Sequence, residues 1–246
     1  GKGYASDIAE YTEDQIASIA NYAFKVALTR GKKLVSVDKA NVLASDIMHP
    51  VFSFKDNEHS LQCQMAIAAA QEALTDANKK PSDIDMILVS ACHLQRHYPA
   101  IAIELQSALG VNQGFAYDMN AACSSASFAI AAAYSFITSG LAQCVLVVSP
   151  EIFTCNVNFR DRKTHFIFGD GSSALIIERK TSCTKQDAYK ILDIKLQSQF
   201  SNNIQSNFGY INRYIKNLEH QDDDQYFKQN GKRVVEEVVS LASKHI

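Results

Sequence analysis

A chain of 246 residues with 47% hydrophobic content carries enough apolar material for one large domain or two small ones, which excludes a disordered or fibrous protein. Its formal charge of −2 and pI near 6.4, with basic clusters limited to "RGKK" and "RDRK", give no sustained cationic face, so nucleic acid is not an expected partner. No apolar run reaches membrane-spanning length and the opening residues "GKGYASDIAEY" show no signal pattern, so a soluble cytoplasmic protein with no membrane partner is expected.

In chain order, Tyr11, Ile16, Ile19, Ala20, Ala23, Phe24, Ala27 and Leu28 recur at helical spacing after Thr12 as N-cap, and Gly31 stops that helix. The alternation in "KLVSV" predicts a strand. These residues, within 4–43, resemble an internal piece of the β-decarboxylating dehydrogenases of the isopropylmalate type. In that family the Lys and Asn of "DKANVL" serve the active site, and they would map onto Lys39 and Asn41. The nucleotide-binding segment and metal-binding aspartates of the family are not found here, and a dehydrogenase without them cannot move a hydride. Residues 1–46 are therefore expected to be a dehydrogenase-like helix–strand segment, with a dehydrogenase remnant as one alternative reading of the chain.

From His49 onward helix and strand alternate. "SLQCQMAIAAAQEALTDAN" predicts an Ala-rich helix, "PSDIDMILVSAC" a turn and a buried strand, and "YPAIAIELQSALG" a helix stopped by Gly110. "GFAYDMN" predicts a strand, "SSASFAIAAAYSFITSG" a helix closed by Gly140, and "QCVLVVSPE" a continuous apolar strand of the kind covered on both faces. "THFIFGDGSSALIIER" reads as two short strands around a Gly-containing turn. The last third is less regular: the acidic run "EHQDDDQ" is expected to be a solvated loop and "RVVEEVVSLASKHI" a terminal helix. The fold class expected from this order is α/β, with a mostly parallel sheet covered by helices.

Cys63, Cys92, Cys123, Cys144, Cys155 and Cys183 are scattered without a CxxC pair, which argues against a zinc site or a disulfide scaffold. They are expected as reduced thiols, mostly filling core. Cys123 differs in its surroundings. It sits where a strand gives way to a helix, among Ala121, Ala122, Ser124, Ser125 and Ala126, so helical N–H groups favour its thiolate. On position alone it is either a nucleophile or a buried, inert small residue.

Residues 47–246 resemble the ketoacyl-acyl-carrier-protein synthase III group of the thiolase superfamily. Three motifs in order carry the likeness: "YDMNAACSSASFAI" matches the segment of the nucleophilic Cys, "FRDRKTHFIFGDGSSALII" the Phe-Gly-Asp-Gly segment, and "QFSNNIQSNFGYINR" one bacterial branch. The resemblance implies the first half of a duplicated thiolase-like fold. It implies acyl transfer from acyl-coenzyme A to Cys123, then a decarboxylating Claisen condensation with malonyl-carrier protein in fatty-acid or related synthesis. No cofactor is implied, since the coenzyme A thioester is a substrate. Acyl-carrier protein and a second copy of the chain are the implied partners.

Other positions carry over one by one. Phe168 matches an aromatic beside the nucleophile, or is a strand core residue. Arg162 matches a basic residue near the coenzyme A nucleotide, or is a solvated surface charge. Gly231 matches a tight approach to the pantetheine arm, or is a turn glycine. Tyr98 matches an aromatic that reaches the acyl pocket of a neighbouring subunit, or packs at a helix start. Val235 stands where many relatives have Phe. The family's His and Asn are expected in a second half, and none of the seven His residues, including His93 and His165, lies in a His-Gln-Ala-Asn context. The expectation is a domain incomplete for turnover that dimerises through the "GFAYDMN" strand or aggregates, with Cys123 at the floor of a thioester tunnel. A non-catalytic dimerisation or carrier-protein-binding module is the other alternative.

Overall fold

The computed structural model describes residues 59–185, 188–206 and 226–243. The expected helix and strand over 11–37, Lys39, Asn41, the boundary at 46/47 and the acidic run lie outside these residues.

Two strands form the centre of the sheet because their sequences open as continuous apolar runs, Met86–Val89 and Cys144–Val148. β1 (Met86–Ser90) is buried throughout, and β3 (Cys144–Glu151) is buried over its first five residues. Both pair in parallel: β1 lies between β2 (Phe115–Met119) and β3, with Met86 opposite Phe115 on one side and Val145 on the other. β4 (Gly171–Glu178) closes the order β2–β1–β3–β4, running antiparallel to β3.

The pleat then divides the core. Ile87, Val89, Leu146 and Val148 face α1 (Leu61–Asp76) and α2 (Ile101–Leu109), where Cys63, Ala66, Ala70 and Leu74 recur along one stripe of α1. Met86, Leu88, Val145 and Val147 point the other way, onto Ala129, Ala133 and Ile137 of α3 (Ser125–Ser139). Each fully buried Val, Leu or Ile is worth at most about 1.5–3 kcal/mol, so this two-sided burial is the main stabilising term of the sheet. Small alanines on the helices let them approach the bulky strands closely. The expected α/β fold with a mostly parallel sheet is the observed one, and α2 and α3 end at Gly110 and Gly140 as the sequence indicates.

Ala122–Ser139 is, by length and composition, apolar enough to cross a membrane, contrary to the reading that no run is. Its helical part, α3, has 15 residues and so spans about 22 Å, short of a hydrocarbon core of about 30 Å. Here it is one layer of the sheet's cover.

The motif over 164–179 gives one strand rather than two. Residues 162–167 form turns instead, because Asp161 captures them: the N–H groups of Thr164 and His165 donate to its carbonyl (3.2 and 3.0 Å) and the Thr164 hydroxyl donates to its side chain (2.6 Å). Beyond β4, a two-stranded antiparallel ribbon joins β5 (Ile204–Gln205) to β6 (Lys228–Gln229). It leads into α4 (Gly231–Ala242), whose N-cap Asn230 accepts from the Arg233 N–H. Val235, Val238 and Val239 of α4 are exposed.

One glycine is fixed by the fold. Gly114 has φ +92° at the entry to β2, and a Cβ there would lie 1.9 Å from the carbonyl oxygen of Asp85. Gly114→Ala is expected to destabilise the protein by about 3 kcal/mol, combining left-handed strain with a backbone clash. Urea unfolding measures this, and an unchanged midpoint would contradict it.

Candidate active site

Because β1, β2 and β3 are parallel, their C-terminal ends deliver Ala91–His93, Asn120–Cys123 and Pro150–Phe153 to one end of the sheet, where open α/β sheets place their ligands. Backbone and side-chain bonds fix these three segments to each other. The Ala91 N–H donates to the Met119 carbonyl (3.3 Å), and Asn120 Nδ2 donates to the Cys92 carbonyl (2.9 Å). Glu151 accepts from the Cys92 and His93 N–H groups at 2.7 and 3.3 Å, and its Oε1 lies 3.3 Å from His93 Nδ1. Behind them the buried Gln62 side chain donates to the carbonyls of His93 (2.7 Å) and Pro150 (2.8 Å), tying α1 to both strand ends.

The turn carrying Cys123 is strained and firmly held. Ala122 has φ 50°, a left-handed conformation that costs a residue with a Cβ of the order of 1 kcal/mol. Two side chains maintain it. Asn120 Oδ1 accepts from the Ala122 N–H (2.9 Å). Ser125 Oγ accepts from the Ala121 N–H (2.8 Å) and donates to the Ala122 carbonyl (2.6 Å). Ser124 is the N-cap of α3, so Cys123 precedes that helix by two residues, near the positive end of its dipole.

Cys123 is exposed, not buried, which removes the inert-filler reading. A hydrogen bond from the Cys92 thiol draws its thiol below the ordinary value of 9.0, to about 6. Burial opposes this, its own backbone N–H assists, Glu151 opposes and His93 adds a smaller pull. At neutral pH the sulfur is mostly an anion. Cys92 moves the other way: the bond it gives to Cys123, its burial and the Glu151 carboxylate all hold its proton. The remaining cysteines correct the core-filler expectation, since of the six only Cys63 and Cys144 are buried.

An aromatic wall continues from His93. Its ring meets Phe153 edge-on (centroids 5.0 Å apart), Phe153 lies 4.3 Å from Phe168, and Phe227 closes the group at 5.5 and 4.9 Å from these two. Phe168 is thereby brought into the cluster that backs His93, instead of into a strand. Arg162 is exposed in the turns before it. Tyr98 is exposed, three residues before α2 at the end of the loop that leads to it. Gly231 opens α4, and a Cβ there would meet only Gln229 Nε2 at 3.8 Å, so no described residue requires glycine at that position. A cleft of about 340 Å³ lined by Asn202, Asn203, Gln205, Lys228, Gln229 and Asn230 includes none of the expected site residues.

Sequence reading missed Cys92, His93, Glu151 and Phe153. The available signal was their place directly after, or at the end of, two apolar strands. His59, Cys63 and Glu104 also lie within 4.8 Å of one another, a spacing suited to a metal. Glu104, however, accepts from the Ser60 N–H and hydroxyl at 3.0 Å each and pairs with Arg96, while burial and that carboxylate push the Cys63 thiol up to about 12. The group is an ion pair capping helix ends, not a set of deprotonated ligands.

The family model for 3-oxoacyl-[acyl-carrier-protein] synthase III matches residues 117–199, and that for isocitrate/isopropylmalate dehydrogenase matches residues 1–92. A beta-ketodecanoyl-[acyl-carrier-protein] synthase of Pseudomonas aeruginosa is 44% identical over 211 residues, covering 85% of this chain and 60% of the relative. A beta-ketoacyl-[acyl-carrier-protein] synthase III of Mesorhizobium japonicum is 43% identical over 111 residues, covering 45% of this chain and 34% of its own length. The chain therefore spans three fifths or less of these curated relatives. Among solved structures, the 3-oxoacyl-[acyl-carrier-protein] synthase III of Aquifex aeolicus superposes with a TM-score of 0.60 at 29% identity over 73% of this chain and 52% of that one. The Thermus thermophilus synthase III, at 0.61 and 22% identity over 76% and 55%, shares the fold. The sheet, the turn bearing Cys123 and these relatives agree: the chain carries a 3-oxoacyl-acyl-carrier-protein synthase III-like domain of thiolase-like fold.

Proposed function

We propose that the domain serves acyl transfer and decarboxylating condensation of the synthase III type, acting on acyl-coenzyme A and acyl-carrier protein in fatty-acid or related synthesis in the cytoplasm. The observation that carries this reading is the exposed residue Cys123 at the C-terminal end of a parallel sheet, two residues before α3, with its thiol drawn below the ordinary value. The thiolate attacks the thioester carbonyl of acyl-coenzyme A, the carbon–sulfur bond to coenzyme A breaks, and coenzyme A leaves, taking a proton. Malonyl-carrier protein then loses carbon dioxide. The resulting carbanion attacks the acyl carbonyl, and the Cys123 thiolate departs, restored. The Cys123 N–H, already directed at the sulfur, is one donor for the developing oxyanion.

The remaining expected residues fit this reading as follows. The cluster of Phe153, Phe168 and Phe227 supplies an apolar wall for the acyl chain, Arg162 a charge for the coenzyme A phosphates, Gly231 the side along which the pantetheine arm runs, and Tyr98 a contact to a second subunit. Among the described residues β2 is an edge strand with Phe115 exposed, and a homodimer through it would cover that edge. Size-exclusion chromatography with light scattering is expected to give twice the chain mass; a concentration-independent monomer would remove the dimer from the proposal.

Incubation with radiolabelled acyl-coenzyme A followed by denaturing electrophoresis tests the acyl-transfer step. Retained label that neutral hydroxylamine removes supports it. Binding of acyl-carrier protein with no label would support a non-catalytic module instead.

A further inference from the structure

Two thiols from different strand ends meet at this site. Cys92 lies two residues beyond β1 and Cys123 four beyond β2, and the bonds between these two neighbouring strand ends bring the Cys92 thiol into the surroundings of the Cys123 sulfur, where it is the largest influence lowering that thiol. Their backbones cannot drift apart easily. The Ala91 to Met119 bond, the Asn120 to Cys92 bond and the Cys92 to Glu151 bond hold both loops, and the strained Ala122 fixes the direction of the turn. Exposure differs between the partners: Cys123 is open to solvent and Cys92 is half-buried. A small oxidant therefore reaches Cys123 first, with a second thiol on the neighbouring strand end. Neither the condensation nor acyl transfer uses a second thiol.

We propose that Cys92 and Cys123 form a peroxide-responsive modification site in which Cys92 is the resolving thiol for Cys123. The Cys123 thiolate attacks the distal oxygen of a hydroperoxide. The O–O bond breaks, the sulfur loses two electrons to become a sulfenic acid, and the peroxide is reduced to an alcohol, or to water in the case of hydrogen peroxide. The Cys92 sulfur then attacks that sulfenic sulfur. The S–O bond breaks, the S–S bond forms, and the hydroxyl leaves with the Cys92 proton as water.

The order of events follows from the contact. While Cys123 is an anion, the hydrogen bond to it is the largest influence keeping Cys92 protonated. Oxidation replaces that anion with a neutral sulfenic acid, so the same step that creates the electrophile also releases the nucleophile. The other exposed thiol lacks such a partner chemistry: Cys155 donates to the Ile152 carbonyl (3.1 Å), and burial and Asp170 push it up to about 11. The link would take the attacking sulfur out of use reversibly and spare it from sulfinic acid. The inference rests on the Cys123 thiolate assumed by the acyl-transfer reading, but not on acyl transfer itself.

The test treats the full chain with hydrogen peroxide, blocks free thiols with N-ethylmaleimide and maps peptides without reduction. The expected result is a Cys92–Cys123 linked peptide. Iodoacetamide labelling of Cys123 should fall roughly tenfold and return after dithiothreitol. In Cys92→Ser, and in Cys92→Ala should the serine variant fold poorly, treated above about pH 9 beside the unaltered chain so that Cys123 is ionised without its thiol donor, Cys123 should react with dimedone and proceed to sulfinic acid that dithiothreitol does not restore. Over-oxidation of Cys123 to the same extent in the unaltered chain, a link to Cys155 or Cys183 instead, or no oxidation at Cys123 would each overturn the proposal. Acyl labelling of the reduced protein in parallel separates the two ideas, since a link without acylation defeats only the acyl-transfer reading, and acylation without a link defeats only this one.

Discussion

Cys123→Ser is expected to lower covalent labelling by acyl-coenzyme A by at least roughly a thousandfold at neutral pH. The argument is one of matching. The site brings one thiol donor, one backbone N–H and a smaller pull from His93 to bear on the sulfur, and against burial and Glu151 these take the thiol from 9.0 to about 6. A serine hydroxyl begins many units higher, so the same interactions leave it protonated and weakly nucleophilic. The substitution is nearly isosteric, so the hydrogen bonds of Asn120 and Ser125 that hold the turn should persist, and loss of label then reports chemistry. Cys155→Ser is the matched control. That thiol belongs to an exposed residue, but its sulfur is desolvated and protonated at neutral pH, so labelling should be unchanged. Intact-mass spectrometry of the acylated protein measures both. Equal label in Cys123→Ser and the unaltered chain would place the acyl group elsewhere.

Much of the fold was legible because its signals are local. The apolar runs "MILVS" and "CVLVVSPE" report strands buried on two faces, the small-residue helices between them report the covering layers, and Gly110 and Gly140 mark helix ends. Where a local signal failed, a polar side chain had overridden it. "THFIF" alternates like a strand, yet Asp161 has already bound the Thr164 hydroxyl and the N–H groups of Thr164 and His165, and the backbone turns.

The site was legible only in its centre. Cys123 is visible from its place between strand and helix. Its charge state depends on Cys92, His93 and Glu151, which lie 28 to 31 residues away in sequence and are joined by parallel pairing that no spacing rule encodes. Gln62 is further hidden: it sits on a helix stripe among alanines and reads as a surface residue, but it is buried and holds two strand ends together. Phe168 shows the converse. Its family position was recognisable, and the fold adds the neighbours Phe153 and Phe227 that make it part of a wall.

Cys92→Ala should shift the pH dependence of alkylation at Cys123. In the unaltered chain the rate of reaction with iodoacetamide is expected to rise to half its plateau near pH 6. The Cys92 thiol supplies the largest downward pull. Without it, burial and the Glu151 carboxylate act against only the Cys123 N–H and His93, and the half-point should climb towards the ordinary thiol value of 9.0. A thiol's anionic fraction falls about tenfold for each unit that its pKa rises above the working pH, so the rate at pH 7 should drop between roughly tenfold and a hundredfold. The sign is distinctive. Alanine opens space beside the sulfur, and if Cys92 acted only as a steric neighbour the rate would rise. A merely structural role would lower the amount of folded protein without moving the half-point, which is read on the active fraction alone. An unmoved half-point near pH 6 would therefore assign the thiolate to the helix end and the backbone, and would leave Cys92 without a part in the chemistry.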